Sequence, residues 1–358
     1  MKSAKAGSNG PNLRVKRRPK LTFGGVSTVP ISIAHLLRSL VCPLGLLSLI
    51  GAASVAQSDQ PQPPAWAYPL NPGGPPKPGP GDGSPEHVPN SLVALTKTQI
   101  LNRFSAVDWH PGSHPSMPES VVHGRAPDLF ACGYCHYPNG QGRAENSNLA
   151  GLPAAYIVEQ ATAFRDGSRR SSQPAMLAPA LMLKVAAHAN ADEVAEAAAY
   201  FASLKYKPWI RVVETDTAPR PEIHGVSAYA ASADGAQEPI GERIVEIPED
   251  AARTDVRDDA SGFVAYVPLG SIERGKALAS TAVGNRQPCA ACHGDMLLGG
   301  EVGPPLAGRS PSYLYRQLYD IQSGARSGSG VEKMNLEVAG LTPAEMRDLV
   351  AFVASLAP

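Results

Sequence analysis

The chain has 358 residues, 43% hydrophobic and 18% charged, and its 32 basic residues balance 32 acidic ones. That neutrality is only apparent: residues 1–56 hold 8 basic and no acidic residues, so the remainder carries a net charge of −8, which excludes the basic footprint of a nucleic-acid binder. Of five cysteines, four sit in two identical spacings and the fifth, Cys42, lies in an apolar run, which leaves none for a structural disulfide.

Along the chain, residues 1–56 read as a signal peptide. Arg14, Lys16, Arg17, Arg18 and Lys20 form a basic region, Ser39 to Ile50 an apolar core of 12 residues, and Ser54-Val55-Ala56 a small-residue cleavage site. The apolar core is shorter than the ~20 residues of a spanning helix, so an uncleaved anchor is the second reading. Residues 57–90 form a tether; eleven prolines between Ser58 and Pro89 favour an extended segment with no packed core. Trp66 and Tyr68 within it read as part of an exposed linker, with docking on a partner or on the first domain as the other reading.

A first domain is expected over 91–210 and a second over 270–358, each about the size at which one core folds. Helical periodicity marks Ala154 to Phe164 and Ala191 to Leu204 in the first, and Ser312 to Ile321 and Pro343 to Leu356 in the second. Asp192-Glu193 and Glu345 supply acidic residues near two of the helix starts. Ser271 to Ser280 reads as the helix opening the second domain. The connector, 211–269, contains two β-type runs, Arg243 to Ile247 and Gly262 to Val267. Over 211–268 it holds 5 basic and 12 acidic residues, and their dispersal reads as a solvated loop.

Cys132-Gly133-Tyr134-Cys135-His136 and Cys289-Ala290-Ala291-Cys292-His293 have the spacing that attaches haem covalently. In such a motif the two thiols bond the haem vinyl groups and the histidine ligates iron. A zinc reading of the cysteine pairs is disfavoured by the histidine after each pair and by their separation of 157 residues. That separation is itself a repeat: adding 157 carries Leu149-Ala150-Gly151 onto Leu306-Ala307-Gly308, Tyr156 onto Tyr313, Gln160 onto Gln317, Gly167 onto Gly324 and Arg169 onto Arg326. Each haem has its own domain.

The other axial ligand separates electron transfer from catalysis, because a methionine closes the site and raises its potential. Met334 lies 22 residues before Leu356 of the closing Ala354-Ser355-Leu356, and Met182 lies 22 before Leu204 of Ala202-Ser203-Leu204. Met182 is therefore favoured, with Ser171 to Ala175 as a five-residue insertion. Met176 competes, being 40 residues after His136 against 41 from His293 to Met334. His188 reads as a surface residue at a helix edge. No acid–base pair or nucleophile constellation stands out, and no catalytic residue is assigned.

The sequence resembles the bacterial two-domain, di-haem cytochromes c of the class I fold. The resemblance covers roughly Pro127 to Leu204 and Gly270 to Leu356. It implies an all-α protein of two tandem cytochrome domains joined by an irregular, partly β connector. It implies two covalent haem c groups on Cys132, Cys135, Cys289 and Cys292, with iron held by His136, Met182, His293 and Met334. In that family a proline carbonyl near the Leu-x-Gly element receives the histidine's other N–H. Gly303-Pro304-Pro305 matches this, whereas the first domain has Asn146-Ser147-Asn148, so the two haems are expected to differ in potential. The implied role is periplasmic single-electron transfer. The implied partners are a quinol-oxidising complex, a terminal oxidase or a periplasmic dehydrogenase, and membrane association would run through such a partner or an uncleaved anchor. A di-haem peroxidase and a haem subunit of a membrane complex are the rival readings.

Overall fold

In the computed structural model the described residues are 62–74, 83–225, 228–282, 284 and 286–358. The expected signal peptide and Cys42 lie outside them. The described residues belong to one compact unit, 58–358, and no helix among them is long and apolar enough to cross a membrane.

Each half is built on the same helices. The first has a short CxxCH helix, Cys132–His136, then Ala154–Asp166, Leu177–His188 and Ala191–Ser203. The second has Ala290–His293, Pro311–Gln322, Glu332–Val338 and Pro343–Ser355, preceded by Ser271–Ser280. Local chemistry fixes their ends. Asn190 and Thr342 each cap a closing helix through a reciprocal capping box with Glu193 and Glu345, satisfying backbone N–H groups that the helix leaves unpaired. Ser310 caps the helix at Pro311, where a missing N–H costs nothing. The last helix buries Met346, Leu349, Val350 and Val353, a helical stripe, against the second core. The opening helix approaches it closely at Gly275, where any Cβ would stand 2.0 Å from the Asp348 carbonyl oxygen.

The fold is mostly helical, and the all-α expectation needs correction. Residues 210–267 contain a three-stranded sheet in the order Ile210–Glu214, Phe263–Val267, Val245–Pro248. The first pair is parallel, Ile210 opposite Phe263 through Glu214 opposite Val267, and the second is antiparallel. A parallel pair needs a long crossover, and the connector is that crossover. Residues of the central strand alternate in facing. On one face Phe263 joins the first core, with Tyr137 and Trp209, while Ala265 and Val267 join the second, with Tyr315 and Leu349.

Two further expectations change. The connector is only partly a solvated loop: Asp216, Glu222, Asp234, Glu242, Glu249, Asp250 and Asp255 are exposed as expected, but it also forms strands, and Glu246, Asp258 and Asp259 are all at most 2% exposed. Two of these three acids are met by donors, Glu246 by Ser310 and Ser312 and Asp258 by Arg253 and the Ala260 N–H. Nor is the tether exposed at Trp66 and Tyr68. Ala67 and Tyr68 are buried in the second core, the Tyr68 hydroxyl donates to Asp320 Oδ1 at 2.8 Å, and Trp66 lies 4.5 Å from the Tyr315 ring centre. The docking is on the second half, not the first.

Candidate haem-binding centres

None of the four motif cysteines is in a disulfide, and all are partly buried. In each half the CxxCH segment forms one helical turn, so both cysteines and the histidine project from a single short element. The residue after it takes a left-handed backbone: Tyr137 has φ 65° and its counterpart Gly294 φ 74°. A Cβ at Gly294 would meet the Gly299 carbonyl oxygen at 2.1 Å, whereas the Tyr137 ring packs edge-on to Trp209 in the first core.

His136 Nδ1 is 2.8 Å from the Ser147 carbonyl oxygen, and His293 Nδ1 is 2.9 Å from that of Pro304. Ser147 and Pro304 are 157 apart, so the bond is made by the same backbone position in both halves. It places the proton on Nδ1 and leaves the Nε2 lone pair for iron. Burial pushes both imidazoles below their ordinary value, which keeps them neutral and ready to ligate. Burial also pushes the Cys132 thiol up to about 12.

The candidate methionines occupy different surroundings. Met182 lies mid-helix in Leu177–His188 and Met334 in Glu332–Val338, both partly buried, each helix following the tyrosine-bearing helix and preceding the closing helix of its half in chain order. Met176 caps the start of its helix and is fully buried in the cluster holding Tyr68, Tyr315 and Tyr319. His188 is 47% exposed, faces Asp128 at 3.7 Å and bonds the Lys184 carbonyl, as befits a surface residue.

The repeat landmarks without an assigned task turn out to join the halves. Arg169 donates to Gln160 of its own half at 2.8 Å and across to Tyr313 Oη at 2.7 Å and Gln317 Oε1 at 2.8 Å. Arg326 mirrors it, donating to Gln317 at 3.0 Å and across to Tyr156 Oη at 3.1 Å and Gln160 at 2.9 Å. The two arginines also face each other in an antiparallel backbone bridge. Arg309 extends the seam, donating to the carbonyls of Asn148 at 2.8 Å and Ala150 at 3.0 Å. Burial pushes the Tyr313 phenol up, but the flanking guanidiniums outweigh it and hold the phenol below its ordinary value. Exact repetition of Tyr, Gln and Arg was the available signal for this interface.

These donors fit haem c. Paired thiols, a histidine with a free Nε2 and a methionine helix recur in both halves. Arg169 and Arg326 are buried cations whose hydrogen bonds run to tyrosine and glutamine alone, and Arg326 Nε is buried without a partner. Such cations suit the carboxylates of a haem.

The cytochrome c family model matches residues 272–357. The chain is 27% identical over 268 residues to the thiosulfate dehydrogenase electron acceptor of Thiomonas intermedia (strain K12), covering 74% of this chain and 93% of that protein. It is 34% identical over 76 residues to cytochrome c-554(548) of Halomonas halodenitrificans, covering 21% of this chain and 86% of that one. It is 29% identical over 148 residues to cytochrome c4 of Azotobacter vinelandii, covering 36% and 66%. Among solved structures, the thiosulfate dehydrogenase of Marichromatium purpuratum is similar at 27% identity and a TM-score of 0.40; the alignment covers 63% of this chain but only 36% of that one.

Proposed function

We propose that this chain, which belongs to the bacterial di-haem cytochromes c, is a periplasmic carrier that accepts single electrons from a dehydrogenase and passes them on. The observation that carries this reading is the duplication of one donor set on a shared seam: two histidines held by equivalent carbonyls, two methionine helices, and the Arg169–Arg326 pair between them. Covalently bound haem c supplies a reversible one-electron couple in each half. Around it the protein fixes His136 and His293 in one tautomer and orientation. Met182 and Met334 would hold the iron together with these histidines, while Met176 serves the core. The donor is inferred to be an oxidoreductase of the thiosulfate dehydrogenase class. Similarity over most of the chain to a protein named as the electron acceptor of that enzyme supports this. Export through the basic and apolar segment of residues 1–56 supports the compartment.

A redox titration of the haem-loaded protein tests the pair. Two resolved one-electron midpoints are expected, because Pro304 backs one histidine and the polar Asn146-Ser147-Asn148 backs the other. A single unresolved midpoint overturns the difference. Stopped-flow mixing with a thiosulfate dehydrogenase and thiosulfate is expected to reduce both haems. Failure to reduce them excludes that donor, and hydrogen-peroxide turnover with a high-spin haem would replace the carrier role with a peroxidase.

A further inference from the structure

On the first half the connector delivers two consecutive buried acids against a loop histidine, and Asn139, three residues beyond His136, donates to the Asp259 carbonyl. Asp258 is 0% and Asp259 2% exposed. His110 Nε2 stands 3.0 Å from Asp258 Oδ1 and 4.0 Å from Asp259 Oδ1, and one ligand atom from each of the three lies within 4.8 Å of the others. Asp258 is oriented from behind: Arg253 Nε donates to its Oδ2 at 2.7 Å and the Ala260 N–H to its Oδ1 at 2.9 Å. Asp259 differs. Both its carboxylate oxygens are buried and neither has a hydrogen-bond partner. A buried carboxylate left so costs several kcal/mol, on the order of a broken buried pair, unless something positive reaches it.

We propose that His110, Asp258 and Asp259 form a binding site for one divalent transition ion of the zinc class. Bonds of about 2.0–2.1 Å place neighbouring ligand atoms on a tetrahedral centre roughly 3.3 Å apart, and the observed separations bracket that value. An imidazole nitrogen among the donors selects against calcium and magnesium, which take oxygen. Arg253 already compensates Asp258, so Asp259, with no partner at either oxygen, is the carboxylate that gains most from the ion. The side chain of His110 is 14% exposed, which leaves an approach from solvent and room for a water as a further ligand. The ion pins the connector to the first half, where Arg257 already donates to the Tyr134 carbonyl at 2.7 Å and Trp109 Nε1 to that of Val256, also at 2.7 Å.

Equilibrium dialysis of the haem-loaded full chain against Zn2+, with metal content read by mass spectrometry, tests the site. About one equivalent of zinc beyond haem iron is expected, with no displacement by excess Ca2+. Asp259→Asn and His110→Gln are each expected to lose that equivalent while keeping the Soret spectrum, and His188→Gln to retain it. Zinc is expected to raise the thermal midpoint of the wild type and not of Asp259→Asn. Wild-type protein that takes up no zinc overturns the proposal, whatever the variants do. So does zinc retained by both ligand variants, and displacement by Ca2+ overturns the class of ion.

Discussion

A thioether fills a core gap as readily as it binds iron, so the surroundings of each methionine decide its task. Met176 sits at 0% exposure among the aromatic side chains of the second core, while Met182 and Met334 stand partly buried on corresponding helices. Met182→Ala and Met334→Ala are each expected to abolish one methionine–iron charge-transfer band at the red edge of the optical spectrum and to lower one midpoint potential. Met176→Ala is expected to keep both bands and lose about 2–5 kcal/mol of stability in denaturant titration, the usual cost of emptying a buried methionine site. Loss of a band in Met176→Ala would transfer the ligand role to it. The motif histidines and cysteines were readable because covalent haem attachment demands a fixed spacing. The methionine was less readable, because a helical loop tolerates insertion and only distance from the closing helix constrains it. The bond from His136 was hidden for another reason: Ser147 supplies its backbone carbonyl, and a backbone acceptor leaves no trace in residue type.

At the scale of elements, helices with end signals or a clear periodicity were legible, Ala154–Asp166 and Ser271–Ser280 among them, and Leu177–His188, with neither, was not. Ala191–Ser203 and Pro343–Ser355 announce themselves through Asn190/Glu193 and Thr342/Glu345. Leu177–His188 is apolar on all sides apart from Lys184 and His188, carries Pro179 in its first turn, and shows no clear stripe. In the connector, strands Val245–Pro248 and Phe263–Val267 were visible as β-type runs, but Ile210–Glu214, the parallel partner of Phe263–Val267, depends on a contact across some fifty residues that no local pattern encodes. The third strand of that sheet carries a buried acid. Glu246, on Val245–Pro248, accepts from Ser310 Oγ at 2.8 Å and Ser312 N at 3.0 Å, clamping the strand to the start of Pro311–Gln322. Burial raises its carboxyl above the ordinary value, outweighing those bonds. An acid whose folded value is raised stabilises the fold fully below its unfolded value of about 4.3 and loses that contribution as pH climbs through the folded value. Glu246→Gln, which keeps an acceptor and removes the charge, is therefore expected to match the wild type in stability near pH 4 and to exceed it at pH 7. Urea titrations at the two pH values check this; a variant less stable at pH 7 than at pH 4, relative to wild type, refutes it.

For the whole molecule, the question is whether two haem halves behave as two domains or one. Each half has its own helices and histidine, yet several connections run between them, among them the Arg169–Arg326 seam, Arg309 on the Asn148 and Ala150 carbonyls, the strand Phe263–Val267 shared by both cores, and Arg316, which donates to the first-half carbonyl of Ala144 at 2.6 Å and to Ala67 of the tether at 3.0 Å. A hydrogen bond to a charged group contributes about 1.5–3 kcal/mol, and a buried partner left without one costs a similar amount again. Four of the six bonds made by Arg169 and Arg326 cross between halves. Even at the low end of that range the seam outweighs a typical difference in stability between two small domains, so the halves are expected to unfold together. In scanning calorimetry the wild-type haem protein should give one transition with calorimetric and van't Hoff enthalpies in agreement. The double variant Arg169→Gln with Arg326→Gln shortens both reaches and leaves Tyr156 and Tyr313 unbonded across the seam. It is expected to split the transition into two, with the calorimetric enthalpy exceeding the van't Hoff value for each. Single variants should fall between, because either arginine alone still spans the seam through the opposite tyrosine and glutamine. If the double variant still melts in one step, the remaining contacts, with the shared strand, Arg309 and Arg316 among them, carry the coupling, and the repeated Tyr, Gln and Arg act on the haems rather than on the union of the halves.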